Sequence, residues 1–249
     1  MITIKSKTEL DKMRQAGRIV ARFLKEVERE VRPGVTTADL DRFAEKLIRG
    51  EKALPAFKGY HGFPATICAS VNEEVVHGIP GKRVLNEGDV VGIDVGVIVD
   101  GFYADAARSF AVGKVDEERS RLMRVTREAL EAGIRAVKPG NRISDISYAV
   151  ESFVKPHGYG IVRQYVGHGI GSQLHEEPQI PNHGKPGQGA EIKPGMAFAI
   201  EPMLNAGSHE VKVLKDGWTV VTADGKPSAH FENTVIVTET GAELITQDA

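Results

Sequence analysis

Cysteine is almost missing from this chain. Cys68 is the only one in 249 residues, so no internal disulfide can form, which suits a reducing compartment. Tryptophan is as scarce, with Trp218 alone, and aromatic residues make up 6% of the chain. No apolar run approaches the roughly 18 residues of a membrane span. Residues 1–7, Met-Ile-Thr-Ile-Lys-Ser-Lys, lack the apolar centre of a signal peptide. The expectation is a cytoplasmic protein with no membrane partner. Neither charge dominates, with 32 Lys plus Arg against 34 Asp plus Glu and a net charge of −2. The basic excess of a dedicated nucleic-acid binder is therefore lacking, and no sequence-specific nucleic-acid partner is expected. What is present, 41% hydrophobic and 27% charged residues, is ordinary for a globular chain with a sizeable core.

Hydrophobic spacing predicts a helix over 8–31, with Leu10, Met13, Ile19, Val20, Phe23, Leu24 and Val27 on one face and Pro33-Gly34 as its stop. A second helix follows the starting signature Thr36-Thr37-Ala38-Asp39 and ends near Gly50. Strands are expected across 65–76 and 88–112. The same programme then repeats. A helix over 117–137 is stopped by Pro139-Gly140, another starts near Ser144, and strands follow across 160–168, 195–203 and 229–238. Val31-Arg32-Pro33-Gly34 recurs as Val137-Lys138-Pro139-Gly140, and the run Gly88 to Asp94 recurs as Gly195 to Glu201. Both copies of that run end an apolar strand on a carboxylate. The expected architecture is α+β, a single catalytic domain of two pseudo-symmetric halves, 1–115 and 116–249.

Asp100-Gly101 is a strong two-residue hairpin signal. With that turn, Val99 pairs with Phe102, and Asp105 lies opposite Gly96 with Asp94 as its diagonal neighbour on the same face. Gly96 is expected to remove bulk between the two acids. Like charges so placed repel by up to about 1 kcal/mol when exposed, and more when buried. In the second half, Glu201 sits in the apolar run 196–203 and Glu232 in 230–237, and neither run contains Lys or Arg. Buried acids need partners. Four of them converging about a two-fold suit divalent cations, and His168 would add a nitrogen ligand. The pattern points to a two-metal hydrolytic centre, with ions about 3.5–4 Å apart activating one water. His175 lies in the same glycine-rich segment as His168, and His77 is a third apolar-flanked histidine. The glycines Gly167, Gly169 and Gly171 lack both the dinucleotide spacing and the lysine of a phosphate loop.

Several stretches carry a family resemblance: Gly59-Tyr-His-Gly-Phe-Pro-Ala-Thr-Ile-Cys68, Val71-Asn-Glu-Glu-Val-Val-His-Gly-Ile-Pro80, Ile93-Asp-Val-Gly96, Gly167-His-Gly-Ile-Gly171, His175-Glu-Glu-Pro178, Ile200-Glu-Pro202 and Phe231-Glu-Asn-Thr234. With these, essentially the whole chain resembles the type I methionine aminopeptidases of the pita-bread fold. The resemblance implies removal of N-terminal methionine from nascent polypeptides with a small second residue. It implies two divalent ions (Fe, Mn, Co or Zn) held by Asp94, Asp105, His168, Glu201 and Glu232, with Asp105 and Glu232 bridging. Glu201 would shuttle a proton, and His175 and His77 would bind the peptide and steady developing charge. Tyr60, Phe63, Cys68, Leu174 and Trp218 would form the methionine pocket, and Asn72 with Ser228 would hold a monovalent cation. Phe63, Leu174, Tyr103 and Ala106 depart from the family's common choices without touching the five ligands. X-Pro aminopeptidases and prolidases share the fold but usually carry a large extra N-terminal domain, and the type II methionine enzymes carry an insertion between the last two glutamates. A catalytically silent peptide-binding homologue would be expected to have lost ligands. The chain is expected to be a monomer. Lys12, Arg14, Arg18, Arg22 and Lys25 of the first helix read as a solvated face, with a ribosome contact as the sharper expectation.

Overall fold

The computed structural model describes residues 2–247. Helix α1, Lys7–Val27, starts at a capping box between Ser6 and Glu9. It ends sooner than its hydrophobic spacing suggests, because Glu30 and Val31 both donate to the Val27 carbonyl in a closing turn ahead of Pro33. Helix α2, Thr37–Gly50, uses the predicted signature, with Thr36 as N-cap and Asp39 completing the box. In the second half, α3 spans Glu117–Arg135 behind an Asp116 cap, and α4 spans Ile143–Val154 with the Asp145 carboxylate accepting from the Arg142 amide.

Strands Val90–Val99 and Phe102–Ala111 form the hairpin in the register expected from Asp100-Gly101, with Val99 opposite Phe102 and Gly96 opposite Asp105. Both turn residues adopt positive φ, +47° at Asp100 and +79° at Gly101, as a tight hairpin turn requires. Strand Ile67–Val71 pairs on the other side of Val90–Val99 and sets Cys68 opposite Asp94. Asn72, with φ of +58°, separates that strand from the next, Glu74–Val76.

In the second half, Ala197–Ile200 runs between Asn233–Val237 and Gly167–Gly169, and Glu176–Ile180 pairs on the outside of the latter. That outer strand is unexpected from the glycine-rich reading. The glycines serve close packing of backbones here: a Cβ at Gly167 would meet the Ala199 carbonyl at 2.5 Å, and one at Gly169 the Glu177 carbonyl at 2.2 Å. Pro202 divides the expected 195–203 strand into Ala197–Ile200 and Met203–Asn205.

Helices α1 and α2 cover the first sheet through Met13, Phe23, Leu40 and Ile48 against Ile67, Ile93 and Val95. Helices α3 and α4 cover the second through Leu130, Ile134 and Ile146 against Phe198, Ile200 and Val235. Hydrogen bonds close the seam between the two. The Glu232 amide donates to the Ala107 carbonyl at 2.9 Å, and the Thr234 hydroxyl to the Asp105 carbonyl at 2.7 Å. Ser109 Oγ accepts from the His230 amide and donates to its carbonyl, both at 3.0 Å. Among the described residues, no helix is long and apolar enough to cross a membrane.

Candidate metal centre and its cleft

Asp94 and Asp105 face one way from the first hairpin, Glu201 follows the last residue of Ala197–Ile200, and Glu232 precedes Asn233–Val237. These four acids and His168 line a single cavity of about 270 Å³, and His77, His175, Tyr60, Phe63, Cys68, Leu174 and Trp218 complete its walls. Asp105, His168 and Glu232 each place a donor atom within 4.8 Å of the other two. His168 Nε2 lies 3.7 Å from Asp105 Oδ2 and 3.5 Å from Glu201 Oε1.

The electrostatics of this cluster are unfavourable as it stands. Burial, then repulsion among the acids, pushes Asp94, Glu201 and Glu232 well above the carboxylate range. Burial raises Asp105 to about 6 even though Thr234 donates to its Oδ1 at 3.0 Å. Burial also holds His168 and His77 down at about 4, and His175, exposed at the cavity mouth, is lowered by partial desolvation and by the neighbouring His168. His168 Nδ1 sits 2.9 Å from the Gly169 carbonyl and donates to it, so the lone pair on Nε2 points at the carboxylates. Asp94 Oδ1 is buried without any hydrogen-bond partner. Arg108 donates its guanidinium to the Glu232 and Ala107 carbonyls and to Asn233 Oδ1, and so acts on the Glu232 carboxylate through its charge alone. Hard oxygens, one imidazole lone pair and an orphaned carboxylate oxygen together fit divalent cations of the transition series.

The cavity wall combines aromatic and polar groups. Phe63 meets Trp218 edge-on at 5.1 Å, and Cys68 is buried with its thiol pushed up by desolvation. Tyr60 bonds His175 Nδ1 at 2.7 Å, and the His175 and His168 rings lie 4.3 Å apart. His77 has a φ of +60°, an uncommon conformation that packs its ring edge-on against Tyr165 and Trp218.

Gly96 plays a different part from the one its position between the acids suggests. A Cβ there would come within 2.7 Å of Phe57 Cε1 and 2.8 Å of Ala56 Cβ, so the missing side chain makes room for the Phe57 ring. Phe57 and His61 line the cavity without having been singled out from sequence. His230 also escaped notice, although it is buried with Nε2 3.8 Å from Glu201 Oε2. Its place two residues before Glu232 in the chain was the available signal. Asn72 and Ser228 lie apart from the cavity: the Ser228 amide donates to the Asn72 carbonyl at 2.8 Å, and Ser228 Oγ bonds Leu204 O and Asn205 Oδ1. In α1, Arg14 pairs with Glu243 and Asp11, Arg22 with Glu26 and Glu51, and Lys12 stacks over Phe102.

Comparison with known proteins points the same way. The profile of metallopeptidase family M24 matches residues 11–239. The methionine aminopeptidase of Clostridium acetobutylicum is 52% identical over 247 residues, spanning 99% of both chains. A crystal structure of the Thermotoga maritima methionine aminopeptidase superposes with a TM-score of 0.98 at 48% identity, over all of both chains. The Pyrococcus furiosus prolidase shares the fold at a TM-score of 0.81 and 24% identity, and this chain spans 66% of it.

Proposed function

The chain belongs to metallopeptidase family M24, and from that premise we propose that it is a metallo-aminopeptidase that cleaves the N-terminal methionine from polypeptides by two-metal hydrolysis. The observation that carries this reading is the convergence of Asp94, Asp105, His168, Glu201 and Glu232 on one cavity beside an apolar, aromatic pocket. Those five residues would hold the ions. When bound, the ions would lower the pKa of a water and polarise the scissile carbonyl.

The chain's own groups account for the rest. Glu201, which lines the cavity beside the other acids, would take the proton of the attacking water and return it to the leaving amine. In the tautomer where the Tyr60 hydroxyl donates to Nδ1, His175 would carry its proton on Nε2, free to donate to charge that develops on the carbonyl oxygen. His77, neutral and fixed between Tyr165 and Trp218, would hold the peptide main chain. Tyr60, Phe63, Cys68, Leu174 and Trp218 would enclose the methionine side chain, where aromatic edges favour a thioether.

The substrate is then a nascent chain end with a small second residue, and the protein is a cytoplasmic monomer built of one duplicated domain. A monovalent cation at Asn72 and Ser228 rests on the family resemblance alone. So does a ribosome contact, because Arg14 and Arg22 of α1 already pair within the chain. The test is release of methionine from Met-Gly-Met and Met-Lys-Met by chelated and metal-reloaded enzyme. Rapid release from Met-Gly-Met only after reloading is expected. Equal activity after thorough chelation would refute the two-metal reading, and a preference for X-Pro dipeptides would move the assignment to a prolidase.

A further inference from the structure

The turn between His168 and His175 is fastened from outside the cavity by the first residues of the chain. Lys5 is buried although it precedes the first helix: its side chain is 4% exposed, and its ammonium lies 2.9 Å from Glu176 Oε2, on a side chain 9% exposed. Thr3 donates its hydroxyl to the same oxygen at 2.7 Å. The other carboxylate oxygen of Glu176 accepts from the Gln173 amide at 3.2 Å and the Ser172 hydroxyl at 3.4 Å. The main chain of the arm is fixed as well, because the Lys5 amide donates to the Gly195 carbonyl at 2.8 Å.

Two glycines make this contact possible. A Cβ on Gly171 would fall 2.5 Å from Lys5 Cε and 2.6 Å from Glu176 Oε1, and one on Gly195 would fall 2.8 Å from Ile4 Cγ2. The ion pair therefore lies directly on the backbone of the turn. Glu176 follows His175 in the chain and pairs across the strand with Gly169, the residue after His168. The carboxylate that Lys5 holds thus follows His175 in the chain and lies across from the residue after His168, while lying outside the cavity itself. From inside, the same turn presents Leu174 and His175, and Tyr60 is the hydrogen-bond partner of the His175 ring.

A buried ion pair is a poor device for stability, since desolvation cancels much of its attraction, but four donors on one carboxylate fix an orientation that apolar contacts would leave loose. We propose that Lys5 and Glu176 are positioning residues for peptide hydrolysis: the N-terminal arm holds the 171–176 turn so that His175 faces the scissile carbonyl. This inference rests on the catalytic reading of His175 given above.

The experiment compares wild type, Lys5→Met, Glu176→Gln and the double variant. For each it measures melting temperature, the Mn²⁺ dissociation constant by calorimetry, and kcat and KM on Met-Gly-Met per metal-loaded site. Each single variant is expected to lose roughly ten- to a hundredfold in kcat, the scale of a small misplacement of a catalytic group, with KM and Mn²⁺ affinity changed by less than about threefold. The double variant should lose no more than the worse single one, since both remove the same clamp. The His175 imidazole resonances should shift in Lys5→Met while those of His77 stay in place. A kcat per loaded site within about twofold of wild type, even with a lowered melting temperature, would overturn the proposal and leave the pair a simple staple. Weakened Mn²⁺ binding beyond threefold would also overturn it, by placing the effect at His168. A wild type without methionine release would instead sink the peptidase reading itself.

Discussion

Removing one negative charge from the metal-free cluster should stabilise this protein, and the same change should destabilise it once metal is bound. Glu232→Gln makes the test. Glu232 is 2% exposed, and one of its oxygens lies within 4.8 Å of an Asp105 oxygen. Two unit charges at that separation repel by at least about 3 kcal/mol at an effective dielectric constant of about 20. A neutral amide of the same shape also avoids the carboxylate's desolvation cost. The pH dependence has a definite sign. Glu232 binds its proton more tightly folded than unfolded, so its contribution is intact below the ordinary carboxylate range and turns unfavourable as pH rises through the raised value. The advantage of the variant should therefore be small within the ordinary carboxylate range and grow as pH rises towards the raised value. For a domain of this size, about 3 kcal/mol corresponds to roughly 6–12 °C in melting temperature. Scanning calorimetry in EDTA, repeated with excess Mn²⁺, reads both halves of the claim. With metal the order should invert, because wild type gains about 2.7 kcal/mol at a hundredfold excess over its dissociation constant and the variant forfeits most of that. A Glu232→Gln protein that melts below wild type in EDTA at the higher pH would refute the reasoning, since the acids would then not be repelling one another.

Other outcomes follow from the same geometry. Glu201→Gln should keep at least one bound metal equivalent by elemental analysis while turnover falls roughly 10²–10⁴-fold, the range for a proton-transfer group; unchanged turnover would remove its proposed role. Cys68, with its thiol buried and pushed up, should react with thiol reagents far more slowly than free cysteine; fast stoichiometric labelling of the folded protein would contradict that placement. Gly96→Val should displace Phe57 and cost about 1–3 kcal/mol in urea unfolding, the scale of overpacking in a tight core, and a neutral result would mean that the ring moves freely.

The first half of the site was legible because strand geometry leaves little choice. Once Asp100-Gly101 is read as the turn, period-two alternation alone sets Asp105 against Gly96 and aligns Asp94 with it, and the observed register agrees. The helices were legible for a similar reason, the cap at Thr36 and the Pro-Gly stops being local chemistry. The 166–180 segment was harder. Its glycines look like loop freedom in one dimension, and only the approach of Ala199 and Glu177 in three shows that they admit neighbouring backbones. Short strands such as Val211–Val213 and Val220–Thr222 are only three residues each, too few for alternation to register. Arg108 and the Lys5–Glu176 pair escaped because their partners lie more than a hundred residues away, and a long-range ion pair leaves no periodic trace.

The seam along the strand Phe102–Ala111 has a practical meaning for how this molecule could be taken apart. Every candidate ligand lies on one side or the other of the surface turn at Gly113-Lys114, with Asp94 and Asp105 before it and His168, Glu201 and Glu232 after it. A chain cut at that turn would yield two polypeptides, each carrying an incomplete donor set and one edge of the hydrogen-bonded join that Ser109 makes with His230 and Asp105 with Thr234. Methionine release by either fragment alone, at any metal concentration, is the outcome this arrangement forbids. Mixed, the fragments would act only as complexes, so turnover would count encounters. Fused to two other proteins, they would report how often those two meet.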